Sequence, residues 1–371
     1  MSSAYGTKLA EGFSAKIQKN LYDKSQFEVV TNRDYEGDIN AVGSKLNIFN
    51  LANISEKTYT NTAMSADSLF ENNAQLVIDQ YKAFYWKEKT LARWLSYIKN
   101  PHATVINQVA NERNKNIEEY LYGQYPDVGA GNRVGTDYTT GTVTVDVTTG
   151  VVTGSGTTFT SSMEDRPFKA DGHTKWYRVK TYTNPTSIII EDDLDDTTSA
   201  YTGGAIGGGA TYTIQAATVL TITTSTLLTQ IAKLKQVLDE AEANGHSTVP
   251  DTDRYLIVPP VFENLLIRAT GVALHVPAVY EELVKRGFIT ELLGFKVFKS
   301  NRLTGNNTDG YRILAGHPNW MTFAEKTLEA RMEEDLIGDF GTAFKDLFVY
   351  GQKVTDARRH QAAELFAKFT V

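Results

Sequence analysis

The spacing of hydrophobic residues changes along the chain and divides it into regions of different structure. Residues 1–32 are polar, with one weakly amphipathic helical stretch, and are expected to form an N-terminal arm without a core of its own. Residues 33–87 contain short β-like runs punctuated by Gly37 and Gly43, and later the stretch AQLVIDQYKAFYWKE, which is rich in β-branched and aromatic residues. This pattern predicts an extended β-hairpin with that stretch as its return limb. Because an isolated hairpin buries few side chains, we expect its apolar residues to rest on another surface.

Helical spacing replaces the β pattern after residue 88. The stretch TLARWLSYIK has apolar residues at helical intervals, and one amphipathic helix is predicted from His102 to Gly123. Pro101 stands where a helix can begin, and Gly123 stands where it can end. Residues 88–130 are therefore predicted to form a unit built around one long helix.

A threonine- and glycine-rich segment, residues 131–216, interrupts the mixed pattern of its surroundings. In TVTVDV the valines alternate with polar residues, which is the period of a strand with one face in water. The runs KWYRVKTYT, SIIIE and TYTIQ are further short strands between turn residues. Threonine suits such strands because its branched β-carbon fits a pleated surface while its hydroxyl tolerates water. The sequence predicts an all-β domain inserted into a host domain at a surface loop.

After residue 217 the chain returns to mixed structure. Predicted helices begin at Ser225, ending near Gly245, and at VFENLLIRA. Predicted strands are RYLIV, LLGFKVFKSN and GYRILAGHPN, and FGTAFKDLFVYGQKVTDARRHQAAELF is predicted to be a strand followed by a final helix or terminal segment. The fold class is therefore α+β.

Composition and charge exclude several classes of protein. The net charge of −7 argues against a dedicated nucleic-acid binder, and residues 136–214, with ten acidic and five basic side chains, are more acidic than the rest. The absence of cysteine excludes disulfides, thiolate zinc sites and thiol nucleophiles. No apolar run of about 18 residues that could span a membrane is present. The N-terminal residues lack the basic and apolar blocks of an export signal, so we expect a protein that stays in a cytoplasm.

No catalytic constellation is apparent in the sequence. The six histidines stand in no metal or nucleophile motif and are interpreted as isolated surface or turn residues. GGAIGGGA lacks the pattern of a phosphate-binding loop and is predicted to be a flexible hairpin, and EDDLDD lacks that of a calcium loop, which favours a solvated turn. Arg358, Arg359 and His360 could contact phosphate or pair with the acidic residues of MEED on a neighbour. We therefore expect no enzyme, cofactor or metal site.

The order of elements resembles that of a known family. The long hairpin around NRDYEGDINAVG, the return strand LVIDQYKAF, the long helix, and the later RYLIVPPVFENLL, GFITELLGFKVFKSNRL and FKDLFVYGQKV together resemble the major capsid proteins of tailed bacteriophages. These proteins have the Hong Kong 97-type fold. The resemblance covers the chain outside the β-rich segment.

The resemblance implies an assignment for each part of the chain. Residues 1–32 would be the N-terminal arm, 33–87 the extended loop that lies over an adjacent subunit, and 88–130 the peripheral domain with its spine helix. The all-β insertion domain would be 131–216, the axial domain with its return strands 217–300, and the remainder of the axial and peripheral domains 301–371.

The implied function is that of a structural virion protein whose copies assemble into an icosahedral shell around double-stranded DNA. Implied partners are further copies, in pentamers and hexamers, with scaffolding, portal and decoration proteins; DNA would be contacted only non-specifically, and assembly would take place in the host cytoplasm. Candidate assembly contacts are charged or aromatic residues: Tyr35, Glu36, Lys45, Glu56, Lys57, Arg331, Glu333, Arg358 and Arg359.

Two alternatives remain open on the sequence alone. One is the shell protein of a bacterial nanocompartment with the same fold. The other is a glycan-binding adhesin or tail protein, in which Trp176, Tyr177 and Tyr182 would stack on a sugar, although these aromatics are more typical of a core.

Overall fold

The computed structural model describes residues 26–35, 45–51, 56–58, 66, 70–89, 101–192, 200–273, 291–336 and 339–370. The predicted arm before residue 26, Glu36, the stretch TLARWLSYIK and the second half of EDDLDD lie outside the described residues.

The described chain contains long runs of consecutive strands, with α-helices between some of them. The helices are α1 (Phe27–Val30), α2 (Pro101–Tyr122), α3 (Leu227–Asp239) and α4 (Pro260–Ala273). The strands are β1 (Lys45–Leu51), β2 (Phe70–Val77), β3 (Gln80–Lys89), β4 (Arg133–Val134), β5 (Thr136–Tyr138), β6 (Thr142–Val145), β7 (Val151–Ser155), β8 (Pro167–Ala170), β9 (Tyr177–Asn184), β10 (Ser187–Asp192), β11 (Ile206–Ala210), β12 (Tyr212–Thr218), β13 (Leu220–Ile222), β14 (Tyr255–Val258), β15 (Glu291–Leu292), β16 (Phe295–Lys299), β17 (Gly305–Asn306), β18 (Gly310–Gly316), β19 (Met321–Leu336), β20 (Asp339–Val354) and β21 (Ala362–Phe369). Contacts between residues divide the chain into two units: the first takes residues 1–28, 33–118 and 322–353, and the second takes the rest.

The first unit contains the predicted hairpin, in a different arrangement from the one expected. β1 pairs antiparallel with β2, from Lys45 opposite Val77 to Leu51 opposite Phe70. The predicted return limb is thus divided, because its second half, β3, pairs with β20 in a three-stranded sheet of order β19-β20-β3. Aromatic stacking explains the choice of partner: the rings of Trp86 and Phe344 lie 4.9 Å apart and nearly parallel.

A small core secures the hairpin within its own chain. Ile48, Leu76 and Ile78 are buried against Ala324 of β19 and Val349 of β20. The hairpin's apolar residues thus rest on another surface, as expected, and for this part of the hairpin that surface belongs to the same chain. The exposed Glu56 and Lys57 lie beyond this core.

The predicted long helix is α2, which begins at Pro101 and ends before Gly123 as expected. Ile117 and Leu121 are buried, whereas Ile106 is half exposed. The apolar stripe of the helix is thus covered at its C-terminal end and open near its N-terminal end.

The β-rich segment is an eight-stranded sheet in the second unit, which we call the β-module (residues 136–218). Its strand order is β11-β6-β7-β10-β9-β8-β12-β5, around a core that includes Val143, Val145 and Phe168. The strand predicted at TVTVDV ends at Val145, because the Asp146 carboxylate accepts hydrogen bonds from the amides of Thr148 and Thr149 and turns the chain. The predicted flexible hairpin GGAIGGGA is also corrected, since its second half is strand β11, paired with β6.

The remaining part of the second unit is a sheet of order β13-β21-β18-β14-β16-β15 that carries α3 and α4. Its β21 replaces the final helix or terminal segment that the sequence suggested. β18 runs antiparallel along one edge of β21. Along the other edge, β4 pairs with Glu364 and Leu365, and β13 pairs with residues 367–369, both in parallel. β4 and β13 are the chain segments that enter and leave the β-module, so both of its ends are held by the same strand.

Candidate functional site

One face of the three-stranded sheet in the first unit is exposed and mixes apolar with charged side chains. A shallow depression of about 380 Å³ crosses all three strands there. Tyr85 of β3 and Leu347 of β20 supply apolar surface, and Tyr85 is 62% exposed. Arg331 and Glu333 of β19 and Lys345 of β20 supply charge. We call this region the sheet depression.

Its charges are arranged as pairs across and along the strands. The Lys345 ammonium lies 2.9 Å from a Glu333 carboxylate oxygen and 5.8 Å from the centre of the Tyr85 ring. Arg331 is paired with Glu329 on the same strand, and both side chains remain largely in water. Exposed ion pairs of this kind stabilise the fold by roughly 0 to 1 kcal/mol each. Their members can therefore pair with charges of another molecule at little cost. The geometry suits binding of a complementary protein surface.

The helix α2 contacts the same sheet through Arg113. The Arg113 guanidinium lies 3.0 Å from a Glu325 carboxylate oxygen and 4.5 Å above the centre of the Phe348 ring. Arg33 reaches the other oxygen of Glu325 at 3.1 Å. These residues position the sheet. From the sequence, the amphipathic pattern of the helix predicted only that it has a polar face, and not which residues that face contacts.

The candidate contact residues predicted from sequence lie in different places. The structure brings Arg331 and Glu333 together at the sheet depression. Lys45, Glu56 and Lys57 are exposed on or beyond the hairpin. Tyr35 is half buried beside the hairpin core.

The two predicted arginines at 358 and 359 belong to the second unit. Arg358 donates a hydrogen bond to the Asn319 carbonyl oxygen at 3.3 Å. Arg359 is only 7% exposed, and its guanidinium lies 3.6 Å from Asp356. Arg359 is thus mainly an internal residue of its unit.

A buried ionic cluster joins the β-module to the host sheet. Glu364 of β21, fully buried, accepts hydrogen bonds from both terminal nitrogens of Arg166, at 2.7 and 2.8 Å. Nη1 of Arg312 lies 3.4 Å from one Glu364 oxygen, and Nη1 of Arg133 lies 3.7 Å from the other. Arg166 directly precedes β8 of the module, so this bidentate pair connects residues distant in sequence.

Three guanidinium groups surround this single carboxylate, and other groups balance the remaining positive charge. Arg312 lies 3.5 Å from the centre of the Phe366 ring, and Arg133 donates hydrogen bonds to backbone carbonyls of Pro126, Val128 and Asp165. This cluster was not predicted from the sequence. The available signal was a lone glutamate in the apolar run AAELFAKF, since a buried carboxylate requires a partner.

The prediction of a solvated turn at EDDLDD is wrong for Glu191 and Asp192, which lie in β10 and are buried, with their charges neutralised by the protein itself. The Glu191 carboxylate lies 2.6 Å from Arg178 and 3.0 Å from Lys180. Burial acts to raise the pKa of Asp192, but hydrogen bonds from Lys175 and Thr202 outweigh it, so the pKa is below its usual value. Among the described residues no group of three or more histidine, aspartate or glutamate side chains could hold a metal ion.

The aromatic residues proposed for sugar stacking do not share an exposed face. Tyr177 is 2% exposed and belongs to the core of the β-module. Tyr182 packs against the same core, and Trp176 is half buried beneath the ammonium of Lys169. The interpretation of these residues as core aromatics fits this arrangement better than a binding platform.

Comparison with known proteins agrees with the fold. Residues 188–361 match the family model described as phage capsid protein. No curated protein sequence matches the chain significantly. Within the described residues, no helix has the length and apolar character needed to cross a membrane.

Solved structures from phages align with nearly the whole chain. The structure from Mycobacterium phage Che8 has a TM-score of 0.57 at 16% identity and covers 98% of each chain. The capsid structure of the cyanophage P-SCSP1u has a TM-score of 0.54 at 14% identity, with 100% of this chain and 96% of that one covered. The capsid of Ralstonia phage GP4 has a TM-score of 0.53 at 10% identity, with 99% and 98% covered. The family match over residues 188–361 and the shared fold agree with the resemblance to phage capsid proteins that the sequence shows.

Proposed function

We propose that the chain is the repeating subunit of an icosahedral shell of the Hong Kong 97 type, which encloses phage double-stranded DNA. The observation that carries the proposal is the exposed sheet depression, in a unit that also holds the extended hairpin. A surface that is both apolar and charged fits repeated contact with other copies.

Assembly of this kind requires different patches to meet on neighbouring copies. Head-to-tail contacts close into rings, here pentamers and hexamers, when the rotation between copies is the right one. Each exposed ion pair contributes little, but many simultaneous contacts per subunit hold a shell together.

Charge suggests which residues meet at one of these contacts. Glu56 and Lys57 are adjacent and exposed beyond the hairpin, and Arg331 and Glu333 stand two residues apart in the sheet depression. We place Glu56 of one copy against Arg331 of the next, and Lys57 against Glu333. This pairing gives the extended loop, residues 33–87, a defined position on an adjacent subunit.

A charge-reversal pair tests the contact directly. Arg331→Glu should reduce shell formation, because it sets two negative charges against each other, and adding Glu56→Lys should restore it. Particles are counted by electron microscopy and by sedimentation of the purified protein. Lys233→Glu is the matched control, since it makes the same change of charge at an exposed position of the other unit.

The outcomes distinguish failure of this one contact from failure of the proposed shell function. If Arg331→Glu forms shells at the wild-type yield, the contact is refuted. If no variant, wild type included, forms closed particles under any assembly condition, the proposed shell function fails.

A deletion tests the wider role of the loop. Replacing residues 53–67 by a short flexible linker leaves β1 and β2 in place, so the subunit should fold and remain soluble without forming shells. Deleting residues 40–60 should give the same assembly defect, but it also removes the buried Ile48. Normal particles from the linker variant would refute the role of the loop.

The remaining assignments follow from the same proposal. Residues 131–216 are an insertion domain that projects from the shell, and their acidity suits an outer surface better than one facing packaged DNA. Scaffolding, portal and decoration proteins are further partners, DNA is contacted without sequence preference, and assembly takes place in the host cytoplasm. Residues 88–130 form the peripheral domain with α2 as its spine; 217–300 hold the axial domain, and 301–371 complete both. No catalytic step is assigned to the chain.

A further inference from the structure

Two histidine rings stack near the base of the β-module, in the second unit. His246 lies in the turn that follows α3, and His360 lies in the short helical turn, residues 356–361, that leads into β21. The ring centres are 3.3 Å apart and the rings are inclined by only 6°. Two imidazoles at this distance can both be neutral, but two positive charges there would repel strongly.

His360 is also fixed to the chain segment that enters the β-module. A Cβ atom at Gly129 would lie 2.4 Å from His360 Cε1, so only glycine leaves room for the ring. Asn132 Oδ1 lies 3.4 Å from His360 Nδ1, and Asn132 Nδ2 donates hydrogen bonds to the carbonyl oxygens of His360 and Ala362. Movement of the His360 ring would therefore disturb the start of the module.

The charged groups around the pair already oppose a further positive charge. The positive charge of Arg359 lowers the pKa of both imidazoles, whereas the negative charge of Asp356 acts to raise the pKa of His246. Because Asp356 also lies 3.6 Å from the Arg359 guanidinium and is largely in water, it gives a protonated pair little compensation. The hydroxyl of Ser247 donates to the Ala357 carbonyl oxygen at 3.0 Å and connects the two turns without charge.

We propose that the His246–His360 stack is an acid-sensitive latch, which holds the base of the β-module in place while both rings are neutral and releases it when a ring takes up a proton. The latch connects three elements: the turn after α3, the turn before β21 and the segment 129–132.

The direction of the pH response follows from burial. Desolvation lowers the pKa of His360 to about 3, with the neighbouring His246 and Arg359 adding to the effect, and desolvation also lowers the pKa of His246. A histidine whose folded-state pKa lies below its ordinary value of about 6.5 destabilises the folded state as acid is added. The stability is complete above about pH 6.5 and is lost progressively as the pH falls toward 3.

The test compares the full-length wild-type chain with His246→Phe/His360→Phe, which keeps two stacked rings but removes both titrating groups. His246→Phe alone is the second variant, in case the double variant folds poorly, and His173→Gln is the control for loss of a histidine elsewhere. The oligomeric state is checked at each pH. The readouts are the unfolding equilibrium between pH 7.5 and 5 and the hydrogen exchange of residues 129–134, corrected for the intrinsic effect of pH.

We expect each of the two histidines to raise the wild-type unfolding constant by up to about tenfold for each pH unit below 6, with loss of protection at residues 129–134. The double variant should show a flatter profile and retained protection, His246→Phe an intermediate profile, and His173→Gln the wild-type profile. Parallel profiles of wild type and double variant would overturn the proposal, as would unchanged protection of residues 129–134 in the wild type at pH 5.

Discussion

Replacing Glu364 by glutamine tests whether the buried ionic cluster stabilises the fold. The amide keeps the shape of the side chain and removes its negative charge, so Arg166, Arg312 and Arg133 lose the one carboxylate that they share. Since Glu364 and Arg166 are fully buried, water cannot take the place of the lost carboxylate as a partner for the arginines.

The magnitude can be estimated in two ways from the geometry. Breaking a buried ion pair by removing one partner costs about 3 to 5 kcal/mol. The two short hydrogen bonds from Arg166 to the carboxylate, each worth about 1.5 to 3 kcal/mol because they are charged, give a similar sum. We therefore expect a loss of about 4 kcal/mol in the free energy of unfolding, close to a thousandfold change in the unfolding constant.

The measurement is urea unfolding of dilute subunits, monitored by fluorescence and circular dichroism. In an Arg166→Met background the same Glu364→Gln change should cost much less, because the pair is already broken. Asp253→Asn, which removes an exposed carboxylate 2.6 Å from Lys296, is the control and should leave the free energy of unfolding almost unchanged. A loss below about 1 kcal/mol for Glu364→Gln, or equal losses in both backgrounds, would refute the reasoning.

Two further substitutions test the packing of each unit. Phe168→Ala removes a fully buried ring from the β-module core and should lower the free energy of unfolding by about 3 to 5 kcal/mol in a denaturant titration; a loss under 1 kcal/mol would mean that the site collapses around the cavity. Arg113→Met removes the ion pair with Glu325 and the contact with the Phe348 ring but keeps most of the apolar stem, so we expect a loss of about 1 to 2 kcal/mol, and no change with salt concentration would contradict the electrostatic part of that estimate.

The sequence predicted best the elements whose pattern is local. The alternation in TVTVDV and the apolar run RYLIV lead directly to β6 and β14, because one strand has a wet face and the other is buried on both. The long helix was equally clear, with proline and glycine at its ends.

Elements that depend on distant partners could not be predicted in the same way. β19 has the sequence MTFAEKTLEARMEEDL, rich in residues that favour helices, and it is a strand because β20 pairs with it. β21 likewise has good helix formers in AAELFAKF, yet β18 on one edge and β4 and β13 on the other make it a central strand.

The candidate site also combines residues that could be predicted from local sequence with contacts that could not. Arg331 and Glu333 could be selected as charged residues of one segment, and they do share a surface. That Arg166 would meet Glu364 could not be read from the sequence, because nothing local relates a turn in the β-rich segment to a strand almost 200 residues later.

The edge of β21 that β4 and β13 share has a consequence for engineering. The pairing of β4 stops at Leu365 and that of β13 starts at Ala367, so one position on β21 separates them, and Gly135 is the residue that would face it. Splicing Gly135 directly to Leu220 would fuse the two short ladders into one uninterrupted strand in unchanged register. The whole β-module could then be excised, or exchanged for a foreign protein whose termini lie close together, and β21 would keep a paired neighbour along this edge.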